Sequence, residues 1–386
     1  MDLDDERRAT FGVTSCDLDD NGWPELLMSA YARGPNVLYT LTDTGFLNVG
    51  ESSGYAFDEN QDFSDNEFFL CWCTANPTAE ECMGVDSPSV QCPTPAGSFW
   101  SSSSDKESER LGGNTFSTVC SDIDGDGKLD LYDAHIAHWW AGGSSDKSSL
   151  LRNTSAGSTE FSFDRPDRAE VGLEVPHPTN DWNEGGIVVA TADLTGDART
   201  DVVLGTSDYP DQFAWVYEQV GEVAFEERGE ALGLHHPCTV GTTIADFDRD
   251  GDLDVVVASG TARDCAAIWE TNEIHFYENE RTSSESWIAV RLDAGEGDAN
   301  RAAIGARVTV TAGGVSQLQE LTSGYGHFGL QNDTVLHFHL GDCQSAASIE
   351  VVWPDAQRSA STLTNVKGGR LVELRKGEDE SVDIVP

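Results

Sequence analysis

The chain has 386 residues, long enough for more than one domain with its own core, and 68 acidic against 23 basic side chains give it a formal net charge of −45. That balance excludes nucleic acid and anionic membranes as partners, because a polyanion repels both. The 38 Gly, 16 Phe and 10 Trp fit a protein of strands and tight turns, and no apolar run is long enough for a membrane span or for a secretory h-region after Met1.

From the N-terminus onward one pattern returns four times: oxygen-bearing side chains at positions 1, 3, 5 and 9 of a nine-residue loop, with a small residue at position 6. The first copy is Asp17, Asp19, Asn21, Gly22 and Glu25, and the second is Asp122, Asp124, Asp126, Gly127 and Asp130. In the third, Asp193, Thr195, Asp197 and Asp201 stand with Ala198 where the others have Gly. The fourth is Asp246, Asp248, Asp250, Gly251 and Asp254. Alternate side chains on a tight turn aim several oxygens at one centre, which suits a hard divalent cation that takes about six to eight of them. Gly at position 6 supplies the positive φ that folds the backbone around the ion. Carboxylates at such spacing repel one another without a cation, so Ca2+ in a structural role is predicted at all four loops. Ligand charge ranks those at 122 and 246 first, that at 17 next and that at 193 last. An EF-hand is excluded: it needs a bidentate Glu at position 12 and flanking helices, whereas position 12 here is Met28, Asp133, Leu204 or Val257. The residues after the loops are branched and apolar, as in strands. Four divalent ions offset only a small part of the net charge, so most of the acidity is a solvated surface suited to salty, calcium-containing water.

Between the loops the same elements recur in order. A strand follows each loop, and then comes a strand with an aromatic or Leu pair at Leu38-Tyr39, Leu150-Leu151, Trp215-Tyr217 or Phe276-Tyr277. A Phe-centred segment and a Gly-apolar turn complete the first three units, and a short strand leads into the next loop. About four strands per unit is the content of a propeller blade, and loop starts at 17, 122, 193 and 246 are too irregular for a fixed-period solenoid. The first interval carries Cys71, Cys73, Cys82 and Cys92 among prolines and a Ser-rich run at 101–109, an insertion at about 58–112. Those Cys spacings match no common zinc framework, so a disulfide-stapled loop made in an oxidising compartment is predicted. Cys238 and Cys265 are a further candidate pair, Cys16 and Cys120 read equally as buried hydrophobes or as a bond, and with nine Cys the odd one out is predicted to be Cys343.

Asp133, His135, His138, Trp139 and Trp140 form a second candidate ligand site after the second loop, with the rim of a strand as the plainer reading. His235, His236, His337 and His339 are weaker candidates. Trp72, Trp100, Trp139 and Trp140, if exposed, would offer a platform for a sugar or a protein, although core packing is the default for any one of them. No nucleophile elbow, zinc-protease helix or phosphate loop is present, so the chain is not expected to be an enzyme.

The loops and the blade pattern resemble the FG-GAP, or VCBS, repeats of integrin-like β-propellers. The stretch Asn300 to Gly314, with Leu340-Gly341-Asp342 and Val351 to Pro354, resembles the ASPIC/UnbV domain that follows such propellers in certain secreted proteins. The resemblance implies an all-β chain: propeller blades over 1–285, a small β-sandwich-like domain over 286–374 and an acidic tail over 375–386. Family propellers usually have seven blades and about four units are visible here, so the expectation is either an incomplete ring lacking N-terminal blades or a ring in which some blades have lost their loops. It also implies a secreted or cell-surface location (the periplasm is the alternative) and an adhesion or recognition role with a protein or glycan ligand, calcium being structural. The competing function is a carbohydrate-active hydrolase or lyase on the same scaffold.

Overall fold

A computed structural model describes residues 9–95, 99–101, 112–156, 160–281 and 286–378, together with the backbone of 382–384. The Ser-rich run from 102 onward lies outside them. The first unit is a meander of β1 (Ala9–Cys16), β2 (Glu25–Tyr31), β3 (Val37–Thr42) and β4 (Gly45–Asn48). The second comprises β5 (Asn114–Ser121), β6 (Asp130–His138), β7 (Ser149–Asn153) and β8 (Phe163–Asp164). The third comprises β9 (Asn183–Ala192), β10 (Asp201–Thr206), β11 (Trp215–Gly221) and β12 (Ala224–Glu227). The fourth has three strands, β13 (Thr239–Ala245), β14 (Asp254–Ser259) and β15 (Ile274–Tyr277). Among the described residues three short helices interrupt the strands, α1 (Gly50–Ser53), α2 (Glu67–Ala75) and α3 (Arg168–Val171). The chain is therefore all-β, an incomplete propeller followed by a further β domain.

The blades stack face to face, which explains why their second strands read as continuous apolar runs rather than as alternating ones. In β10, Val202 and Leu204 pack with Tyr132, Ala134 and Leu150 of blade 2, while Val203 packs with Ile244, Val255 and Val257 of blade 4. A third core joins Cys16, Leu27 and Leu38 of blade 1 to Leu131 and Leu151 of blade 2. The Cys16–Cys120 disulfide ties the same two blades. Blades 2 and 3 are further fused where Ile136, Ala137 and His138 of β6 pair with Gly185, Glu184 and Asn183 of β9.

The insertion builds its own small core of Phe69, Leu70, Cys73 and Trp100 around α2, with disulfides Cys71–Cys92 and Cys73–Cys82. Trp100 is thus buried among aromatic rings and is not part of an exposed platform. Cys238 pairs with Cys265, and Cys343 is the free cysteine.

The C-terminal domain is two packed four-stranded sheets. One is ordered β19 (Leu336–His339), β16 (Trp287–Asp293), β22 (Arg370–Arg375) and β23 (Val382–Ile384), so that part of the segment read as an acidic tail returns as an edge strand. The other is ordered β18 (Val315–Glu320), β17 (Arg307–Ala312), β20 (Ser345–Val352) and β21 (Ala360–Lys367). Ile288, Val290, Val308, Val310, Phe338, Ile349 and Trp353 fill the space between them. Its long β18–β19 connection lies across the first strands of the blades. Gly326 N–H donates to Thr14 Oγ1 (3.0 Å), His327 N–H to Ser117 Oγ (2.8 Å), and Ile244 N–H to Asn332 Oδ1 (3.1 Å). One segment thereby touches blades 1, 2 and 4.

Candidate metal centres

Each acidic loop is the turn between the first and second strands of its blade, and all four are held in one register. The position-9 residue pairs with the residue just before position 1: Glu25 with Cys16, Asp130 with Ser121, Asp201 with Ala192, and Asp254 with Ala245. Position 6 is left-handed in every copy, with φ of 89° at Gly22, 87° at Gly127, 100° at Gly251 and 67° at Ala198. Ala198 therefore keeps the loop shape without Gly, against a steric cost of about 1–2 kcal/mol.

Backbone amides orient the carboxylates identically in each loop. The position-6 N–H donates to the position-1 carboxylate at 2.8 Å (Gly22–Asp17), 3.2 Å (Gly127–Asp122), 2.7 Å (Ala198–Asp193) and 3.1 Å (Gly251–Asp246). The position-2 N–H donates to the position-9 carboxylate at 2.9 Å (Leu18–Glu25), 3.0 Å (Ile123–Asp130), 2.9 Å (Leu194–Asp201) and 3.0 Å (Phe247–Asp254). One oxygen of each pair is thus fixed by the backbone. The outcome is three triads whose oxygens lie within 4.8 Å of one another: Asp17, Asp19 and Glu25; Asp122, Asp124 and Asp130; Asp246, Asp248 and Asp250.

The electrostatics of these triads ask for a cation. Burial, reinforced by Asp19, pushes the Glu25 carboxyl up to about 8. Burial also raises Asp122 to about 7, and its neighbours Asp130, Asp126 and Asp124 add to the shift. Asp130 and Asp246 rise to about 6, again mainly through burial. Asp122 Oδ1 and Asp246 Oδ1 are buried without a hydrogen-bond partner, an expensive state for a carboxylate oxygen. A hard divalent ion with oxygen preference fits this donor set, and calcium suits it better than magnesium because the triads are loops of variable geometry.

The copies differ in detail. At 246 the triad takes Asp250 rather than Asp254, whose second oxygen accepts Asn279 N–H (2.8 Å). At 122, Asp126 stands outside the triad, and Arg152 Nη2 lies 2.7 Å from Asp124 Oδ2. The loop at 193 forms no such triad among the described residues. Its carboxylates meet protein side chains instead: His339 Nδ1 lies 3.0 Å from Asp193 Oδ2, and Arg199 pairs with Asp197. The Arg281 guanidinium, which donates to the Thr195 carbonyl, occupies the space beside Gly196.

Sequence reasoning did not find the residues that the C-terminal domain brings to these loops. Arg307 Nη1 donates to the Asp17 carbonyl (3.0 Å), Glu320 Oε2 accepts Asp17 N–H (3.2 Å), and Arg358 pairs with Asp20. These partners are about 290–340 residues away in sequence, and no local pattern marks them. A cavity of about 330 Å³ lies between the domain and the loops at 122 and 193, with Gln317, Gln319 and Glu320 on its domain side.

The second candidate site divides into two places. Asp133 and His135 are fully buried, with Asp133 Oδ2 3.7 Å from His135 Nε2 and 3.8 Å from Arg165 Nη2, while Thr118 Oγ1 donates to Asp133 Oδ1 (2.7 Å). His138, of opposite parity on the strand, stacks on Trp140 (5.1 Å, 15°) with Nδ1 2.7 Å from Asn183 Oδ1. Trp139 and Trp140 are half-buried. His235 stacks on Phe213, and His236 and His275 lie against Trp269.

Comparison with known proteins agrees with this architecture. Residues 193–257 match the FG-GAP-like repeat, and residues 295–381 match the domain called ASPIC and UnbV. Cartilage acidic protein 1 of Mus musculus is 25% identical over 199 residues, which is 50% of this chain and 29% of that protein. Its Homo sapiens counterpart is 24% identical over 199 residues, 50% of this chain and 28% of that protein. The aligned stretch thus spans under a third of either relative. A solved lectin of Agrocybe aegerita, described as recognising non-reducing terminal N-acetylglucosamine, aligns over 94% of this chain and 83% of its own. With a TM-score of 0.34 and 11% identity, that likeness carries no argument. Its loops, its blades and its C-terminal sandwich accord with the FG-GAP-like repeat matched at 193–257 and with the ASPIC and UnbV domain matched at 295–381.

Proposed function

We propose that the chain is a calcium-stabilised recognition module of an extracellular or cell-surface protein, binding a protein or glycan ligand without chemistry of its own. The observation that carries this reading is a cluster of three carboxylates at the acidic loops of blades 1, 2 and 4, in each of which the position-1 carboxylate accepts the position-6 N–H. Calcium there would join the first two strands of each blade and offset carboxylate repulsion. Carboxylates held ionised by a cation are poor general bases, so catalysis is not expected of the loops. Four disulfides support an oxidising compartment. No helix among the described residues is long and apolar enough to cross a membrane.

A contact surface consistent with this role lies at the strand ends away from the acidic loops. Phe11, Tyr31, Phe116 and His327 form a cluster with ring centroids 4.9–5.5 Å apart, and Phe328 extends it from His327 at 3.7 Å. Phe11 is 41% and Phe328 71% exposed. Exposed rings of this kind serve both pyranose stacking and protein hot spots. The test is a glycan and protein array probed in calcium and again in chelator: calcium-dependent retention supports the reading, and equal or absent retention in both contradicts it.

A further inference from the structure

Blades 2, 3 and 4 each carry a carboxamide at, or two residues from, the end of the third strand: Asn153, Gln219 and Asn279. The main-chain N–H of each donates to the position-9 carboxylate of its own loop, at 2.8 Å (Asn153–Asp130), 2.9 Å (Gln219–Asp201) and 2.8 Å (Asn279–Asp254). The side-chain amide of each reaches into the preceding blade and donates to the position-2 carbonyl of that loop. The distances are 2.9 Å (Asn153 to Leu18), 2.8 Å (Gln219 to Ile123) and 3.0 Å (Asn279 to Leu194). Each carboxamide also holds position 8 of its own loop, Asn153 and Asn279 through the Leu129 and Leu253 carbonyls and Gln219 through the Thr200 N–H. Asn153 and Gln219 are 2% exposed, so no water competes for these bonds.

The path between the first two triads is therefore short and continuous. Asp130, a member of the triad at 122, holds Asn153 N–H; Asn153 Nδ2 holds Leu18 O; and Leu18 N–H holds Glu25 Oε2 in the triad at 17. Linked sites become coupled when the linking element differs between the bound and free states of either. With no counter-ion, Asp124 crowds Asp130 and opposes the position in which it accepts Asn153 N–H, and with that position goes the anchor of the Asn153 backbone.

We propose that Asn153, Gln219 and Asn279 are positioning residues that couple neighbouring acidic loops, Asn153 making cation binding at the loop at 17 depend on the loop at 122. The proposal rests on the calcium reading above. Coupling through such a link is expected to change affinity about 5-fold or somewhat more, the lower end of the usual range.

Terbium(III) luminescence tests it in the full chain. Trp23, at position 7 of the first loop and 61% exposed, sensitises an ion bound there, and the signal lost in Trp23→Phe isolates that loop from others. Asp122→Asn keeps the acceptor for Gly127 N–H while disabling the second triad, and should weaken terbium binding at the first loop about 5-fold. Asn153→Leu should do the same, Asn153→Gln should restore part of the affinity, and Asp122→Asn should add nothing on the Asn153→Leu background. If Asn153→Leu fails to fold, Asp122→Asn alone decides, because it touches no group of the first loop. An unchanged first-loop affinity in Asp122→Asn, or additive effects of the two substitutions, overturns the coupling while leaving the calcium reading intact. No terbium uptake at any loop overturns both.

Discussion

Removal of calcium is the perturbation whose size follows most directly from the loops. Three triads are formed, and each would bind the native state alone, because its oxygens converge on a turn whose shape is set by the pairing of the two strands it joins, which exists only on folding. Extracellular modules of this donor type hold calcium with Kd of about 10⁻⁴–10⁻³ M. In about 10 mM calcium each site then adds about 1.4–2.7 kcal/mol by linkage, and three add about 4–8 kcal/mol. With roughly 2.1 cal/mol/K of unfolding entropy per residue across the blades, that is a rise in Tm of about 7–13 °C. The assay is a far-UV circular dichroism melt in calcium, in EGTA, and in magnesium, whose octahedral demand these loops do not meet. The expected order is calcium well above magnesium and EGTA. Equal midpoints in calcium and EGTA would refute the claim that cations bind these turns in the folded state.

Further outcomes follow from other parts of the molecule. Glu184 is buried between Arg168 (Nη2–Oε2 3.1 Å) and His177 (Nε2–Oε1 2.9 Å). Burial raises its carboxyl, but the Arg168 charge and the two partners' hydrogen bonds outweigh that and hold it below its ordinary value. Its contribution is thus present above the unfolded carboxyl value of about 4.3 and lost as pH falls through the lower folded value. Glu184→Gln should cost about 3–5 kcal/mol in a denaturant melt at pH 7 and should flatten the acid limb of stability against pH. Replacing Cys16 and Cys120 together by Ala, which opens a link spanning 104 residues, should cost about 4–5 kcal/mol in the same assay. Phe328→Ala should reduce capture of whatever ligand the array identifies while leaving the melt unchanged, since the ring is 71% exposed.

The loop geometry was legible in the sequence because each loop is held by hydrogen bonds within nine residues, and spacing alone encodes that. Positive φ at position 6 was legible in the same way at Gly22, Gly127 and Gly251, and Ala198 adopts it too because Asp193 accepts its N–H. Spacing does not encode how close the oxygens come. Asp254 stands outside the triad at 246, although its oxygens accept Asn279 N–H and Phe247 N–H just as those of Asp130, inside the triad at 122, accept Asn153 N–H and Ile123 N–H. The loop at 193 reads as weak because Thr195 lacks a carboxylate. Its physical difference is the set of side chains around it, two of which, Arg281 and His339, come from distant parts of the chain. Strand content was visible from apolar runs, whereas the pairing of β6 with β9 and the crossing of residues 326–333 over three blades are contacts between segments with no shared local pattern. Among the aromatic residues, Trp100 reads like any other in a polar stretch and turns out to be the core of the insertion.

Anomalous diffraction from crystals grown in ample calcium addresses the central claim most directly. Ions should appear at three places, among Asp17, Asp19 and Glu25, among Asp122, Asp124 and Asp130, and among Asp246, Asp248 and Asp250, with none at the loop at 193. Empty triads at those three turns, or an ion displacing Arg281 and His339 from the loop at 193, would contradict the account.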